Sequence, residues 1–109
     1  MKEKWTLNKW RDEIHDNAVQ HGWWDDERSF AEIVALCHSE LSEALEEDRA
    51  GRDLIYIKDG KPEGIAIEMA DLIIRALDWF GHMKIDVDEA VAVKHSYNIS
   101  RPYKHGKRY

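Results

Sequence analysis

PEGIAIEMADLIIRALDWFG, residues 62–81, is the stretch that decides the fold. Proline suits the first position of a helix, where its missing amide would have no partner. Glycine suits the position just past the last turn. The spacing therefore predicts one helix from Pro62 to Phe80, stopped by Gly81. At 100° per residue, Ile65, Ala66, Met69, Ala70, Leu72, Ile73, Ala76, Leu77, Trp79 and Phe80 take up well over half of its circumference, and Ile67 and Ile74 lie beyond the other edge. Glu68, Asp71, Arg75 and Asp78 are left in a narrow polar stripe. A helix that is apolar nearly all round is expected to be buried. An unpaired carboxylate carried inside with it costs several kcal/mol or titrates to neutral. The acids of the stripe therefore need a cation. Arg75 can serve one of them.

Working outward, three more helices follow from period and caps. Leu7, Trp10, Ile14 and Ala18 recur at helical spacing and predict a helix from about Thr6 to Gln20. Ser29-Phe30-Ala31-Glu32 fits a capping box. Behind it Phe30, Ile33, Val34, Cys37, Leu41, Ala44 and Leu45 form one stripe that ends near Gly51. Asp86-Val87-Asp88-Glu89 resembles a capping box with aspartate in place of serine, opening a last helix to about Asn98; Pro102 forbids its continuation. Arg52–Gly60 is ambiguous: Leu54–Ile57 reads as a short extended piece and Lys58-Asp59-Gly60 as a turn. The expected architecture is all-α, a four-helix-type bundle in a single domain over 1–109.

Composition excludes several classes. The net charge of −6 argues against nucleic-acid binding through a general basic surface. No apolar run reaches the roughly 18 residues of a membrane span, and the opening MKEKWTLNKW has no apolar core of a secretory signal. The single cysteine, Cys37, sits in an apolar helical pattern and reads as a small buried hydrophobe. A cytoplasmic setting is the expectation. Charge is unevenly placed, however: from Val91 to Tyr109 there is no acid, while Lys94, Arg101, Lys104, Lys107 and Arg108 are basic. Such a tail suits an anion clamp.

The second helix supplies a match for the acidic stripe. Glu40 and Glu43 lie at the edge of its apolar face, and residues three apart on a helix are neighbours. Two such pairs on facing helices make a cage of four carboxylates. Hard oxygen ligands without cysteine or histidine suit Mg²⁺, with Mn²⁺ as the alternative, better than zinc. No Glu-x-x-His occurs, which removes the di-iron bundle pattern. Glu46, Glu47 and Asp48, which follow, read as ordinary solvated charge.

These residues resemble a family, the MazG-like all-α nucleoside triphosphate pyrophosphohydrolases, related to dimeric dUTPases and dCTP pyrophosphatases, whose signature is E-x-x-E followed by E-x-x-D. Here it reads Glu40-Leu-Ser-Glu43 and Glu68-Met-Ala-Asp71, within LCHSELSEALEE (36–47) and IEMADLIIRALD (67–78). The tail VKHSYNISRPYKHGKRY (93–109) is similar to the family's Lys-x-x-x-Asn-x-x-Arg-Pro stretch. The resemblance covers roughly residues 20 to 106. It implies Mg²⁺-dependent hydrolysis of a nucleoside triphosphate to monophosphate and pyrophosphate. Glu40, Glu43, Glu68 and Asp71 would hold the metal, with Glu40 or Glu43 orienting the attacking water. Lys94 and Asn98 would contact the triphosphate, with Arg101 and Lys104 as helpers. Trp23 and Trp24 stand where relatives place aromatic residues of the base pocket, which implies substrate contact by Trp24. The family's clefts are usually completed by a neighbouring subunit, which implies a homodimer or homotetramer. Two departures stand out: Ser39 where many members carry a second acid, and Arg75 where some carry an aromatic. The competing readings are a narrow-substrate relative acting on dUTP, dCTP or phosphoribosyl-ATP, and a non-catalytic helical interaction module.

Overall fold

The computed structural model describes residues 4–108; Met1–Glu3 and Tyr109, the ends of the expected domain, lie outside the described residues. The chain runs α1 (Leu7–Gln20), α2 (Phe30–Ala50), β1 (Tyr56–Lys58), β2 (Lys61–Glu63), α3 (Ile65–Met83), α4 (Val87–Ser100) and a short 3₁₀ turn (Tyr103–Gly106). Helices dominate, and a small antiparallel ribbon is inserted between α2 and α3.

The helix starts follow their capping chemistry. Ser29 accepts from the Glu32 amide while the Glu32 side chain reaches back to the Ser29 amide, completing the expected capping box. Gly51 closes α2 in the left-handed conformation. The first turns of α1 and α4 cap one another. Thr6 takes the Lys9 amide, and the Asp88 carboxylate takes the amides of Leu7 and Asn8, each at 3.2 Å. Asn8 in return accepts from the Val87 amide at 2.8 Å and donates to Asp86 at 2.9 Å. Amides that a helix start leaves free are thus satisfied across the two elements.

The third helix departs from expectation at both ends. It begins at Ile65, because Pro62 belongs to β2 opposite Ile57. Asp59 and Gly60 both have positive φ, the geometry of the tight hairpin turn whose twist matches two paired strands. A ribbon of two strands has an open edge on each side, so a proline is tolerated there. At the other end Gly81 lies inside the helix, which continues to Met83 and closes on Lys84 at φ 58°. Glycine is needed at 81 for packing: a Cβ there would stand 2.6 Å from the Cβ of His15 on α1.

α3 is the central element, packed against α2 on one side and α1 on the other. The buried apolar set is small, Ala18, Ile33, Ala44, Leu77 and Val87, and it includes no large side chain that is fully covered. The expectation that α3 is enclosed nearly all round is not met within one chain: Met69, Ile73 and Ile74 are exposed, Ile73 at 56%. Phe30, Leu41 and Leu45 of α2 are likewise open, and Cys37 is only half-buried. Every residue of α4 from 91 to 97 is exposed. The radius of gyration, 16.3 Å, exceeds the value of about 13 Å for a compact chain of this length.

Glu47 also departs from its reading as solvated charge. It is 9% exposed, and it accepts from the Tyr56 hydroxyl at 2.6 Å and from Arg52 at 2.8 Å. The Tyr56 hydrogen bond, aided by Arg52, holds it below the usual carboxylate range. This contact ties β1 to α2. Among the described residues no helix is long and apolar enough to cross a membrane.

Glycine-to-alanine changes inside helices normally stabilise. At position 81 the sign is expected to reverse. Gly81→Ala should cost about 1–3 kcal/mol by overpacking against His15, read as a lower thermal midpoint by circular dichroism. An unchanged or raised midpoint would show that α1 and α3 do not approach as closely as described.

Candidate functional site

The acidic stripe of α3 and the Glu40 edge of α2 face each other, as the spacing predicts. Glu40, Glu68 and Asp71 each bring one carboxylate oxygen within 4.8 Å of the other two. Glu40 is 5% exposed; Glu68 and Asp71 are half-buried. Glu43 lies at the same wall, beside both Glu40 and Glu68. The structure thus brings together three of the four expected ligands and sets the fourth against them.

Burial of like charges moves their protons. Burial first, and hydrogen bonding to Glu43 second, push Glu40 up to about 7, with Arg75 acting in the opposite direction. Burial and Glu43 push Glu68 to about 7 as well. Arg75 is a loose counter-ion: its Nε stands 3.9 Å from Glu40 Oε2 and makes no hydrogen bond. Glu68 Oε2 is buried without a partner. Unsatisfied buried oxygens are rare in folded proteins and need an explanation. Converging carboxylates, with a buried unpartnered oxygen on Glu68, fit a hard divalent cation such as Mg²⁺ or Mn²⁺.

The cluster opens into a cavity of about 620 Å³ between α1, α2 and α3, within the size range of small-molecule sites. At one end stand Glu40, Glu43, Glu68 and Asp71. At the other are Trp10, Ile14, Ala18, Trp23 and Asp78. Asp71 and Asp78 are seven residues apart on α3, so the two ends are separated by roughly 10 Å at 1.5 Å per residue.

The remaining sequence candidates fare differently. Trp24 does not line the cavity. Its ring stacks on His82 at 4.0 Å, and its Nε1 donates to both oxygens of Asp78 at 3.0 and 3.1 Å. It braces Asp78, which also bonds His15 at 2.7 Å. Among the described residues, the aromatic side chains that line the cavity are Trp23 and Trp10 of α1. Lys94, Asn98, Arg101 and Lys104 line no part of it. Lys94 and Arg101 lie over the Tyr97 ring at 5.0 and 5.5 Å, and Lys104 lies over Tyr103 at 5.8 Å. Asn98 keeps a buried Oδ1 without a partner. These groups are separated from the acids because α4 packs on the start of α1, away from the α2–α3 seam. The cations that do line the cavity are Arg28, Lys61 and Arg75. Trp10 was legible as a member of the Trp10–Ile14–Ala18 face. Lys61 gave no signal, because its place depends on the hairpin.

No protein-family model, curated protein or solved structure matches this chain.

Two acids titrating near 7 instead of the ordinary 4.5 make stability depend on pH. Below about 4.5 both are protonated in the folded and the unfolded chain. Between 4.5 and about 7 the unfolded chain has released these protons and the folded chain keeps them, so stability falls as pH rises, and the loss is complete above about 7. The metal-free protein should therefore melt lower at pH 8 than at pH 5.5, by about 5 °C or more. Millimolar Mg²⁺ at pH 8 should restore the midpoint, and Glu68→Gln should flatten the profile. A melting curve indifferent to both pH and Mg²⁺ would contradict the buried-cage geometry.

Proposed function

We propose that this protein hydrolyses nucleoside triphosphates to the monophosphate and pyrophosphate in a Mg²⁺-dependent reaction. The observation that carries the reading is the meeting of Glu40, Glu68 and Asp71, with a buried unpartnered oxygen on Glu68, at one end of a cavity whose other end presents indole rings. A cation site and an aromatic surface roughly 10 Å apart suit a ligand with phosphates at one end and a flat base at the other. The likeness of Glu40–Glu43 and Glu68–Asp71 to the pyrophosphohydrolase signature supports the same reading.

Glu40, Glu68 and Asp71 hold Mg²⁺, with Glu43 adjoining. Bound there, the ion supplies charge neutralisation on phosphate oxygens and orients the reacting group. Glu43, outside the converging trio, is the carboxylate left to take a proton from the attacking water. The water oxygen forms a bond to the α-phosphorus as the bond to the α–β bridging oxygen breaks, and pyrophosphate leaves with the negative charge. Trp10 and Trp23 offer stacking faces to the base. Asp78, braced by Trp24 and His15, faces the same end.

The active form in this reading is a homodimer or homotetramer. Support comes from the open apolar residues of α2, α3 and α4, which include Phe30, Leu45, Ile73, Val93 and Ile99, the last 72% exposed. Exposed apolar side chains on three helices support burial against a second copy. A 14-residue helix with an uncovered middle is also marginal by itself. Association on these faces completes a helical bundle and gives the Lys94–Arg101 segment a second acidic cavity to approach.

The deciding experiment incubates purified protein with a panel of dNTPs and NTPs, with Mg²⁺ or EDTA, and separates products by ion exchange. Monophosphate and pyrophosphate should form only with Mg²⁺. Glu40→Gln and Glu68→Gln should lower turnover at least about 100-fold, an amount typical of lost charge stabilisation, while the fold is kept. Diphosphate plus phosphate would overturn attack at the α-phosphorus. A folded protein that turns over no nucleotide would favour the interaction-module reading.

Light scattering after size exclusion should give at least twice the protomer mass of 12.8 kDa at micromolar concentration. A monomer there would remove the oligomeric part of the reading.

A further inference from the structure

Each of the three cations lining the cavity has a different setting. Arg75 stands beside Glu40, its Nε 3.9 Å from Oε2. Arg28 lies 5.4 Å over the Trp23 ring and 6.0 Å over that of Trp24, at the indole end. Lys61 is carried by β2, just ahead of the α3 turns that bear Glu68 and Asp71, and so adjoins the acidic end.

The backbone beneath Lys61 is held firmly. The two-residue turn at Asp59 and Gly60 sets the register that pairs Lys61 with Lys58 and Glu63 with Tyr56. Tyr56 and Arg52 fasten the first strand to the buried Glu47 of α2. Gly64, at φ 117°, lets the second strand close on the Leu54 carbonyl, which any Cβ would strike, and the Ala66 amide bonds that same carbonyl at 3.1 Å. The hairpin is thereby fixed to α2 and α3, the two helices that carry the carboxylates.

The Lys61 side chain is loosely held by comparison. It is 77% exposed, and among the described residues its one ion pair is with Glu63 at 3.4 Å. Exposed pairs of this kind are weak and easily exchanged. A flexible four-carbon stem on a rigid base lets the ammonium leave Glu63 for a stronger anion, and phosphate oxygens attract a compact point charge strongly.

We infer that Lys61 binds the polyphosphate of the ligand in this cavity, and that Glu47 and Tyr56 are positioning residues that set the hairpin bearing it. This rests on the nucleoside triphosphate reading of the same site.

The test uses the full chain, the nucleotide it turns over best, and Mg²⁺. Lys61→Ala should raise KM about tenfold or more with a small change in kcat, and weaken binding of a nonhydrolysable triphosphate analogue by a similar factor. Lys61→Arg should recover most of the loss. Tyr56→Phe should raise KM by a smaller factor at an unchanged oligomeric state. Glu63→Gln should leave KM unchanged or lower it, because it releases the ammonium; a rise equal to that of Lys61→Ala would make the ion pair structural and overturn the inference. If wild type turns over nucleotide and Glu40→Gln abolishes this while Lys61→Ala leaves KM untouched, Lys61 is no phosphate ligand and the parent reading stands. If wild type turns over none, both fall together.

Discussion

Mutual repulsion of carboxylates between α2 and α3 is the constraint around which the rest of the molecule is arranged. Glu40 is among the least exposed residues of the chain, and the groups nearest to it include Asp71, Glu43 and Glu68. Burying like charges disfavours their ionised forms, so without a cation the protein keeps protons that isolated side chains would release. Arg75 is too loosely placed to neutralise the group. A fold that buries acids while leaving Leu45 and Ile73 open gives up stability at this cluster.

The surrounding structure resists this repulsion from two directions. At one end α1 approaches α3 closely enough to require Gly81, and His15 and Trp24 meet on Asp78. At the other, the ribbon is clamped to α2 through Glu47 and to the start of α3 through Leu54. Glu40 and Glu47 are seven residues apart on α2, so the same helix face presents a strained acid and a satisfied one. The difference lies in their partners: Glu47 has a tyrosine hydroxyl and a guanidinium within hydrogen-bonding distance, while Glu40 has another acid, Glu43, and the more distant Arg75. Identical side chains at equivalent helix positions thus become, in turn, a structural anchor and a group with an elevated pKa.

α4 shows a different use of capping. Its first turn is locked to α1 by reciprocal bonds between Asn8, Asp86 and Asp88, while its middle faces solvent on every side. Firm anchorage at one end and no cover over residues 91–97 keep the basic C-terminal stretch out of the cavity that holds the acids.

Much of this was determined by local chemistry and was therefore legible in the sequence. The caps at Thr6, Ser29 and Asp86 depend on residues three apart, and the pairing of Glu40 with Glu43 on one helix face and of Glu68 with Asp71 on another depends on helical periodicity. Both are properties of short stretches. Tertiary contacts decided the rest. Pro62 was drawn into a strand by the turn before it, and His15, sixty-six positions away, leaves no room for a Cβ at Gly81. Glu47 was buried by Tyr56, Trp24 was turned away from the cavity by Asp78, and Lys61 was brought to it by a hairpin. Lys94 and Arg101 share an acidic protein with the cage, but bonds at the start of α4 decide how far from it they stand. Periodicity places a side chain on a face; only packing between faces determines what that side chain meets.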